Sequence, residues 1–306
     1  MSFRKEKHFS LASLDFDGMS LNDLRALFKK TLKSGMHGIC SSPYVEGQKP
    51  GDELSESQIR KRLEIIKPYT KWIRSFSCTD GNEFIPRIAK EMGVKTLVGA
   101  WLGDNPDINE KEIEGLITLA HEGYVDVAAV GNEVMYRGDL TERELLDKIY
   151  HVKSSIQDLN IPVGYVDAYY EFEERPDITG ACDVILANCY PFWEGCNMDY
   201  SLLYMKDMFN KAKRAGRGKR VIITETGWPS EGTSLQGAFP SEENAIKYFI
   251  NAQKWSKEEG IEMFYFSSFD ESWKVGSEGD VGAFWGIWDK NEELKFASPK
   301  TKKTVM

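Results

Sequence analysis

The sequence predicts an α/β fold, a single (β/α)8 TIM barrel, and three observations support this prediction. Short apolar runs alternate with segments of helical spacing along nearly the whole chain, which is typical of repeated βα units. Eight such runs can be counted, and eight is the number that closes a barrel. The runs show no polar alternation, as expected of parallel strands covered on both faces. A Rossmann-type sheet is disfavoured because its glycine fingerprint is missing.

The predicted strands and helices follow one another in the order that a barrel requires. The strands are Gly38–Ser41, Trp72–Ser75, Thr96–Ala100, Val125–Val130, Val163–Val166, Val184–Ala187, Val221–Thr224 and Met263–Phe266. The helical segments are Ser20–Lys33, Ser55–Tyr69, Glu83–Met92, Glu110–Glu122, Glu142–Leu159, Leu202–Ala215 and Glu242–Glu259. The segments that join consecutive strands are long enough for right-handed crossovers.

Capping residues support several helix boundaries. Ser55 is followed three residues later by Gln58, and Thr141 by Glu144, which is the spacing of a capping box. Glycines just before predicted strands indicate helix ends, namely Gly93, Gly123, Gly216 and Gly260.

The whole chain, residues 1–306, is predicted to be one catalytic barrel domain. Residues 1–36 form a helical extension that we expect to pack near the bottom of the barrel. The barrel itself spans 37–295. The polar tail 296–306 is expected to fray, especially from Pro299 onward.

Composition excludes several classes of protein. The net charge is −9 and no basic stripe is interleaved with aromatic residues, so nucleic-acid binding is not indicated. No apolar run is long enough for a membrane span, and the segment Met1–Ser10 is too polar for the apolar core of a secretory signal. As written, the chain is expected to be a cytoplasmic monomer, or a mature periplasmic or secreted form from which a signal has been removed.

Neither cysteines nor histidines suggest a metal site, and no cofactor is expected. The five cysteines contain no CxxC pair, and a role as small buried residues is expected of them. The four histidines stand alone, without the spacing of metal ligands.

Two glutamates directly follow apolar runs. Glu133 comes after the fourth predicted strand, and Glu225 comes after the seventh. Chemistry in such barrels lies at the carboxyl ends of the strands, so both carboxylates are expected at one mouth, facing each other across the barrel. Paired carboxylates are what glycoside cleavage needs, about 5–5.5 Å apart with retention of configuration and about 6.5–9.5 Å apart with inversion.

Around these glutamates the chain resembles glycoside hydrolase family 17, the β-1,3-glucanases and β-1,3-glucanosyltransferases. The motifs are Val130-Gly131-Asn132-Glu133, Ile223-Thr224-Glu225-Thr226-Gly227-Trp228-Pro229, Gly38-Ile39-Cys40-Ser41-Ser42-Pro43-Tyr44, Ala187-Asn188-Cys189-Tyr190-Pro191-Phe192-Trp193 and Phe269-Asp270-Glu271-Ser272-Trp273-Lys274. The last segment is closer to the fungal and bacterial members than to the plant members.

The resemblance implies a retaining reaction. Glu225 would attack the anomeric carbon, while Glu133 would protonate the leaving oxygen and then act as base towards water or a second sugar. Asn132 would hydrogen-bond the sugar 2-hydroxyl, and Tyr190 would donate a hydrogen bond to the nucleophile. Burial and the charge of Glu225 are expected to keep Glu133 protonated near neutral pH.

Further substrate contacts are expected around this pair. Glu271 and Lys274 match a pair that the family places beside the cleft, where they either tune charge or contact hydroxyls. Tyr44 lies in a matching segment after the first strand. Arg74 ends the second strand and either holds a carboxylate or fills a layer of the barrel.

Loop tryptophans are candidate platforms for sugar rings, because indoles stack on the apolar faces of sugars. These candidates are Trp193, Trp228, Trp273 and Trp285, and the alternative is that each simply caps the barrel. The run Glu171, Glu173 and Glu174 after the fifth strand is interpreted as solvated surface charge.

The sequence therefore predicts an enzyme that cleaves β-1,3-glucosidic bonds in laminarin-like glucans. A glucanosyltransferase is the alternative, because either water or a sugar hydroxyl can reach the intermediate. A non-catalytic glucan-binding barrel would be expected to lose one carboxylate. A related clan that acts on β-1,4 linkages shares both glutamates, but the segment Thr226-Gly227-Trp228-Pro229 favours β-1,3 linkages.

Overall fold

The computed structural model describes residues 13–276 and 278–297. Within them, eight parallel strands close into a barrel in chain order, with β8 beside β1. The strands are β1 (Met36–Cys40), β2 (Thr70–Ser75), β3 (Lys95–Ala100), β4 (Val127–Asn132), β5 (Val163–Ala168), β6 (Val184–Asn188), β7 (Arg220–Thr226) and β8 (Met263–Tyr265). The predicted barrel and its eight strands are confirmed, with strand ends displaced by at most two residues.

Helices pack around this barrel. They are α1 (Leu21–Lys33), α2 (Glu56–Ile66), α3 (Phe84–Glu91), α4 (Pro106–His121), α5 (Val134–Arg137), α6 (Glu142–Ser155), α7 (Glu171–Glu174), α8 (Pro176–Ala181), α9 (Met198–Ala215) and α10 (Glu242–Glu259). Short 3-10 turns cover Lys67–Tyr69, Gln157–Leu159, Ser272–Val275 and Asp280–Phe284. The brief helices α5, α7 and α8 were not predicted, because four to six residues are too few to show a periodicity.

Side-chain caps explain where the long helices begin. Ser55 and Thr141 each accept a hydrogen bond from the backbone N–H three residues later. The capping box suggested by the spacing is complete at Thr141 but not at Ser55, because the Gln58 side chain donates to Pro43 and Gln48 instead. Helices α4 and α9 begin four residues earlier than predicted, because Asn105 and Asn197 cap them. Asparagine is as good an N-cap as serine, so this signal was present in the sequence.

In a (β/α)8 barrel the helix that follows β8 normally packs beside the helix that precedes β8. Here α1, which precedes β1, occupies that position in the outer ring. It runs parallel to α10, since Arg25 pairs with Glu242 at 2.7 Å near the start of both helices. Further along, the rings of Phe28 and Phe249 lie 4.9 Å apart. The prediction that this helix packs near the bottom was therefore wrong, because its apolar face is buried against the neighbouring helix of the ring.

Both ends of the described chain bear on the predicted domain limits. Phe296 is buried and lies edge-on to Phe28, so packing extends beyond the predicted barrel limit at residue 295. The tail predicted to fray from Pro299 and the polar segment Met1–Ser10 lie outside the described residues. No helix in the described ranges is both long and apolar enough to cross a membrane.

The cysteines are unpaired, and most of them contribute to the core. Burial raises the pKa of the Cys40 thiol to about 12, so this thiol stays protonated. The expected role as small buried residues holds for all except Cys196, which is partly exposed; the buried ones are Cys40, Cys78, Cys182 and Cys189.

Gly164 lies where β5 and β6 approach each other closely. A Cβ atom at this position would lie 2.6 Å from the carbonyl oxygen of Val184. We expect G164A to lower the free energy of unfolding by about 1–3 kcal/mol, because the two strands must move apart. Thermal and guanidinium unfolding will measure the loss. In the control G180A, in α8, the added Cβ meets nothing within 4 Å, and stability should not fall. Equal stability of G164A and wild type would contradict this packing.

Candidate active site

The carboxylates of Glu133 and Glu225 lie at the mouth formed by the carboxyl ends of the strands. Glu133 directly follows β4, and Glu225 is the next-to-last residue of β7. Only β5 and β6 separate these strands on one side of the barrel. The prediction that the two strands face each other directly across the barrel was therefore wrong. The distance between the two glutamates is spanned by a side chain from β6.

That side chain is Asn188, the last residue of β6. Its Nδ2 atom donates a hydrogen bond to Oε1 of Glu133 at 2.7 Å and another to Oε1 of Glu225 at 3.1 Å. Its Oδ1 atom accepts from the hydroxyl of Thr224 at 2.8 Å, which fixes the orientation of the amide. One amide nitrogen therefore holds both carboxylates.

Glu225 is buried among donors. Nη1 of Arg74 lies 2.6 Å from its Oε1 atom, and the hydroxyl of Tyr190 donates to Oε2 at 2.8 Å. Burial, together with the charge of Glu225, raises the pKa of Tyr190 well above its ordinary value, so the phenol stays protonated and can donate. These donors, together with the Asn188 amide, fix the orientation of the Glu225 carboxylate.

Arg74 connects the carboxylate to a second site residue. Its Nη2 atom donates to Oδ1 of Asn132 at 2.6 Å, and its guanidinium lies 4.2 Å from the centre of the Phe76 ring. Arg74 therefore binds a carboxylate, which is the first of the two roles considered for it, the other being to fill a layer of the barrel. Because the oxygen of the Asn132 amide is engaged, its nitrogen is the group that can donate to a ligand.

Glu133 has an unusual backbone conformation. It lies in the left-handed region, with φ 52° and ψ 31°, at the junction between β4 and α5. This conformation is uncommon for residues other than glycine. Burial and, secondarily, the nearby charge of Glu225 raise the pKa of Glu133 to about 7. The Glu133 carboxyl can therefore carry a proton near neutral pH.

This raised pKa predicts a stability that depends on pH. The folded protein binds more protons at Glu133 than the unfolded chain between pH 4.5 and about 7, so the free energy of unfolding falls as pH rises through that window. The loss is at most about 3 kcal/mol. E133Q removes the ionisable group and with it this pH-dependent loss of stability. The variant should therefore be more stable relative to wild type at pH 8 than at pH 4.

Guanidinium unfolding of wild type and E133Q at the two pH values tests this expectation. E173Q, which replaces an exposed glutamate of α7, is the matched control and should show the same difference from wild type at both pH values. An E133Q difference that does not change with pH would contradict the assigned pKa.

Glu271 and Lys274 form a buried ion pair beside the mouth. Nζ of Lys274 lies 2.9 Å from Glu271 Oε2, and the backbone N–H of Tyr44 donates to Oε1 at 3.3 Å. The ring of Tyr44 meets Trp273 edge-on, with centroids 5.8 Å apart. Lys274 also lies 4.2 Å from the centre of the Phe266 ring. The structure thus joins the segments after β1 and β8 into one wall of the mouth.

A family model, described as the BtgE/BtgC glycoside hydrolase domain, matches residues 38–286. The chain belongs to this family. Similar proteins include the glucan 1,3-beta-glucosidase of Saccharomyces cerevisiae, 27% identical over 79% of this chain and 85% of that protein. The glucan 1,3-beta-glucosidase of Arthroderma benhamiae is 30% identical over 80% of this chain and 85% of its own length.

Solved structures agree with this assignment. The glycoside hydrolase family 17 β-1,3-glucanosyltransferase of Rhizomucor miehei superposes with a TM-score of 0.75 at 28% identity, covering 86% of this chain and 96% of that one. A β-glucuronidase of Bacteroides uniformis has a TM-score of 0.66 at 15% identity, covering 85% of this chain and 34% of that one, and shares the fold alone. The predicted membership of family 17 is confirmed.

The tryptophans proposed as sugar platforms differ in exposure. Trp193 is 41% exposed at the mouth, and Trp273 is partly exposed. Trp228 and Trp285 are buried, at 1% and 3% exposed. The indole N–H of Trp228 donates to the carbonyl of Phe239 at 3.0 Å, because the segment after β7 folds over it. Of the two alternatives, this burial favours capping of the barrel by Trp228 and Trp285 over stacking on a sugar, and it does not support the expected substrate contact of Trp228.

Glu171 was wrongly predicted to be a solvated surface charge. It is buried in α7 and pairs with Arg175 at 2.6 Å, whereas Glu173 and Glu174 are exposed as predicted. An arginine four residues later on a helix was a signal of this pair.

Asn188 lies in the motif Ala187–Trp193, but no role was predicted for it. Its signal was the same as that of the glutamates, a polar side chain at the end of a buried strand. Among the described residues, no group of three or more His, Cys, Asp and Glu side chains is arranged to hold a metal ion.

Proposed function

We propose that this family 17 protein is an enzyme that cleaves β-1,3-glucosidic bonds of laminarin-like glucans with retention of configuration. The observation that carries the proposal is the hydrogen bonding of Glu133 and Glu225 to one nitrogen of Asn188, at 2.7 and 3.1 Å. Even on a straight line, the two bonded oxygens would be closer than about 6.5 Å, the lower end of the range for inverting enzymes. Inversion needs room for a water molecule between the second carboxylate and the sugar, so this short spacing supports direct attack by that carboxylate.

Glu225 is the proposed nucleophile. The Arg74 guanidinium, the Tyr190 hydroxyl and the Asn188 amide orient it through charge-assisted hydrogen bonds. Its attack on the anomeric carbon forms a covalent glycosyl-enzyme and releases the leaving-group sugar.

Glu133 is the proposed acid and base. With a pKa of about 7 it can protonate the departing glycosidic oxygen. It then takes a proton from the incoming water or sugar hydroxyl, which attacks the glycosyl-enzyme and restores Glu225. Asn132 is positioned through Arg74 to donate its amide N–H to the sugar 2-hydroxyl.

The substrate assignment rests on the relatives and on the walls of the mouth. The relatives are named glucan 1,3-beta-glucosidases, and a mutant of the Rhizomucor miehei enzyme was solved in complex with laminaritriose. Trp193 and Trp273 are the proposed stacking residues. Tyr44, Glu271 and Lys274 support the wall that carries Trp273.

Transfer to a glucan acceptor is a second candidate function, because the solved family 17 neighbour is named a glucanosyltransferase. Transfer differs from hydrolysis only in whether a sugar hydroxyl or water approaches the base Glu133. The same two carboxylates serve both outcomes.

The test is a time course with linear β-1,3-gluco-oligosaccharides of defined length. Proton NMR in the first minutes reports the anomer that is released, and the retaining mechanism requires the β-anomer. Initial release of the α-anomer would overturn it. Products longer than the substrate indicate transfer, and exclusively shorter products indicate hydrolysis.

A further inference from the structure

Glu133 stands at the N-cap of α5 but does not cap that helix. The first N–H groups of a helix have no partner within the helix, and the N-cap side chain usually accepts from one of them. Here the carboxylate of Glu133 instead accepts from Asn188 at 2.7 Å, and no side chain of the N-cap residue bonds to α5. The turn that carries Glu133 therefore needs acceptors from another element.

Two side chains of β5 supply these acceptors. The hydroxyl of Tyr165 accepts from the backbone N–H of Met135 at 2.8 Å, and Oδ2 of Asp167 accepts from that of Tyr136 at 3.3 Å. Tyr165 donates its own proton to Asp167, whose Oδ1 atom accepts from the N–H of Ala168 at 2.7 Å. Both side chains are almost completely buried, at 1% and 0% exposed. The Tyr165 hydroxyl and Oδ2 of Asp167 thus hold the turn after Glu133, while Oδ1 of Asp167 is fixed by the backbone of β5 itself.

Asp167 also places a charge behind Glu133. Its carboxylate adds to the effects of burial and of Glu225 in raising the pKa of Glu133, while Arg137 opposes them. Burial raises the pKa of Asp167 itself to about 6, so Asp167 is largely ionised at neutral pH. The other titratable groups that face this pair are Glu171 from α7, Tyr170 beside it and Tyr136 from α5.

We propose that Tyr165 and Asp167 are positioning residues for the acid/base Glu133: they cap the turn that Glu133 leaves uncapped and keep a negative charge next to it. The inference rests on the proposed function of Glu133. The Glu133 carboxylate cannot both cap a helix and reach the glycosidic oxygen. The neighbouring strand β5 therefore supplies the acceptors for the turn that follows β4.

D167N and Y165F separate the two parts of this role. D167N keeps an acceptor oxygen but loses the charge, so the basic limb of the kcat/KM profile should move to lower pH by about half a unit or more. Y165F loses the acceptor for Met135. It should lower kcat on β-1,3-gluco-oligosaccharides about tenfold or more while KM stays within about twofold. An aryl glucoside with a good leaving group needs little acid assistance, so its kcat/KM should change little in Y165F.

D126N is the matched control. Asp126 lies at the other end of β4 and likewise accepts a backbone N–H, that of Thr96 at 2.8 Å. Its pH profile should match that of wild type. The inference would be overturned if the pH profile of kcat/KM for D167N matched that of wild type. It would also be overturned if Y165F lost activity equally on the oligosaccharide and on the aryl glucoside.

The proposed function is tested separately in the same series. If E133Q loses the basic limb while D167N and Y165F behave as wild type, the function of Glu133 stands and the positioning role fails. If E133Q keeps that limb, the assignment of Glu133 itself fails. If Y165F does not fold, D167N alone decides the question. A 13C NMR titration of the Glu133 carboxyl in D167N would then contradict the proposal if the pKa of Glu133 were the same as in wild type.

Discussion

Replacing Glu225 with glutamine should lower kcat on β-1,3-gluco-oligosaccharides by about four orders of magnitude or more. Glutamine has nearly the same shape and can still accept from the Tyr190 hydroxyl, which lies 2.8 Å from the carboxylate in wild type. It cannot form the glycosyl-enzyme. The substitution also leaves the buried guanidinium of Arg74 without a charge partner, so we expect a loss of stability alongside the loss of turnover.

E262Q is the control that separates these two effects. Glu262 directly precedes β8 at the opposite end of the barrel and is bound by Nε of Arg220 at 2.6 Å. Removing this charge should alter stability without altering kcat. Circular dichroism must show folded E225Q at the assay temperature. Turnover within tenfold of wild type in folded E225Q would rule out Glu225 as nucleophile.

E225A adds a stereochemical test of the same role. Azide is small enough to enter the space left by the carboxylate and can attack an aryl β-glucoside directly. This single displacement inverts the anomeric centre, so an α-glucosyl azide is expected. A β-glucosyl azide would mean that another residue still forms the covalent intermediate.

The barrel could be predicted from sequence because its signals are local. Most strands contain a short apolar run, and each helix of more than ten residues begins at a side-chain cap that needs only the next two or three residues to act. Glu133 and Glu225 were found for the same reason, since each stands at the end of such a run.

The errors concern features that depend on how distant segments meet. The burial of Trp228 is decided by Phe239, eleven residues away, and by the path of the loop between them. The place of α1 is decided by the absence of a long helix after β8 within the described residues. The bridging role of Asn188 was not predicted, because it depends on side-chain contacts with Thr224 and with both glutamates that strand order alone does not reveal.

Arg74 shows where sequence reasoning could have gone further. A fully buried arginine in a strand is costly unless its charge is paired and its N–H groups are bound. The residue is next to last in β2, so a carboxylate at the same mouth was the natural partner, and Glu225 fills that role at 2.6 Å.

E133A should have the second large effect, and it should depend on the leaving group. On β-1,3-gluco-oligosaccharides, whose leaving group is a sugar alkoxide, kcat/KM should fall by about 10²–10⁴-fold because no acid protonates the departing oxygen. An aryl glucoside with a good leaving group should form the glycosyl-enzyme almost as fast as wild type does. Its turnover should then stall, because no base activates water.

Azide should restore turnover of that aryl glucoside by E133A, and the product should be the β-glucosyl azide. Attack on the covalent intermediate is a second inversion, so the configuration is the opposite of that expected from E225A. The basic limb near pH 7 of the wild-type profile should also disappear, because the group with the raised pKa is gone. If both variants gave the same anomer, the two carboxylates could not have the distinct roles that their different environments indicate.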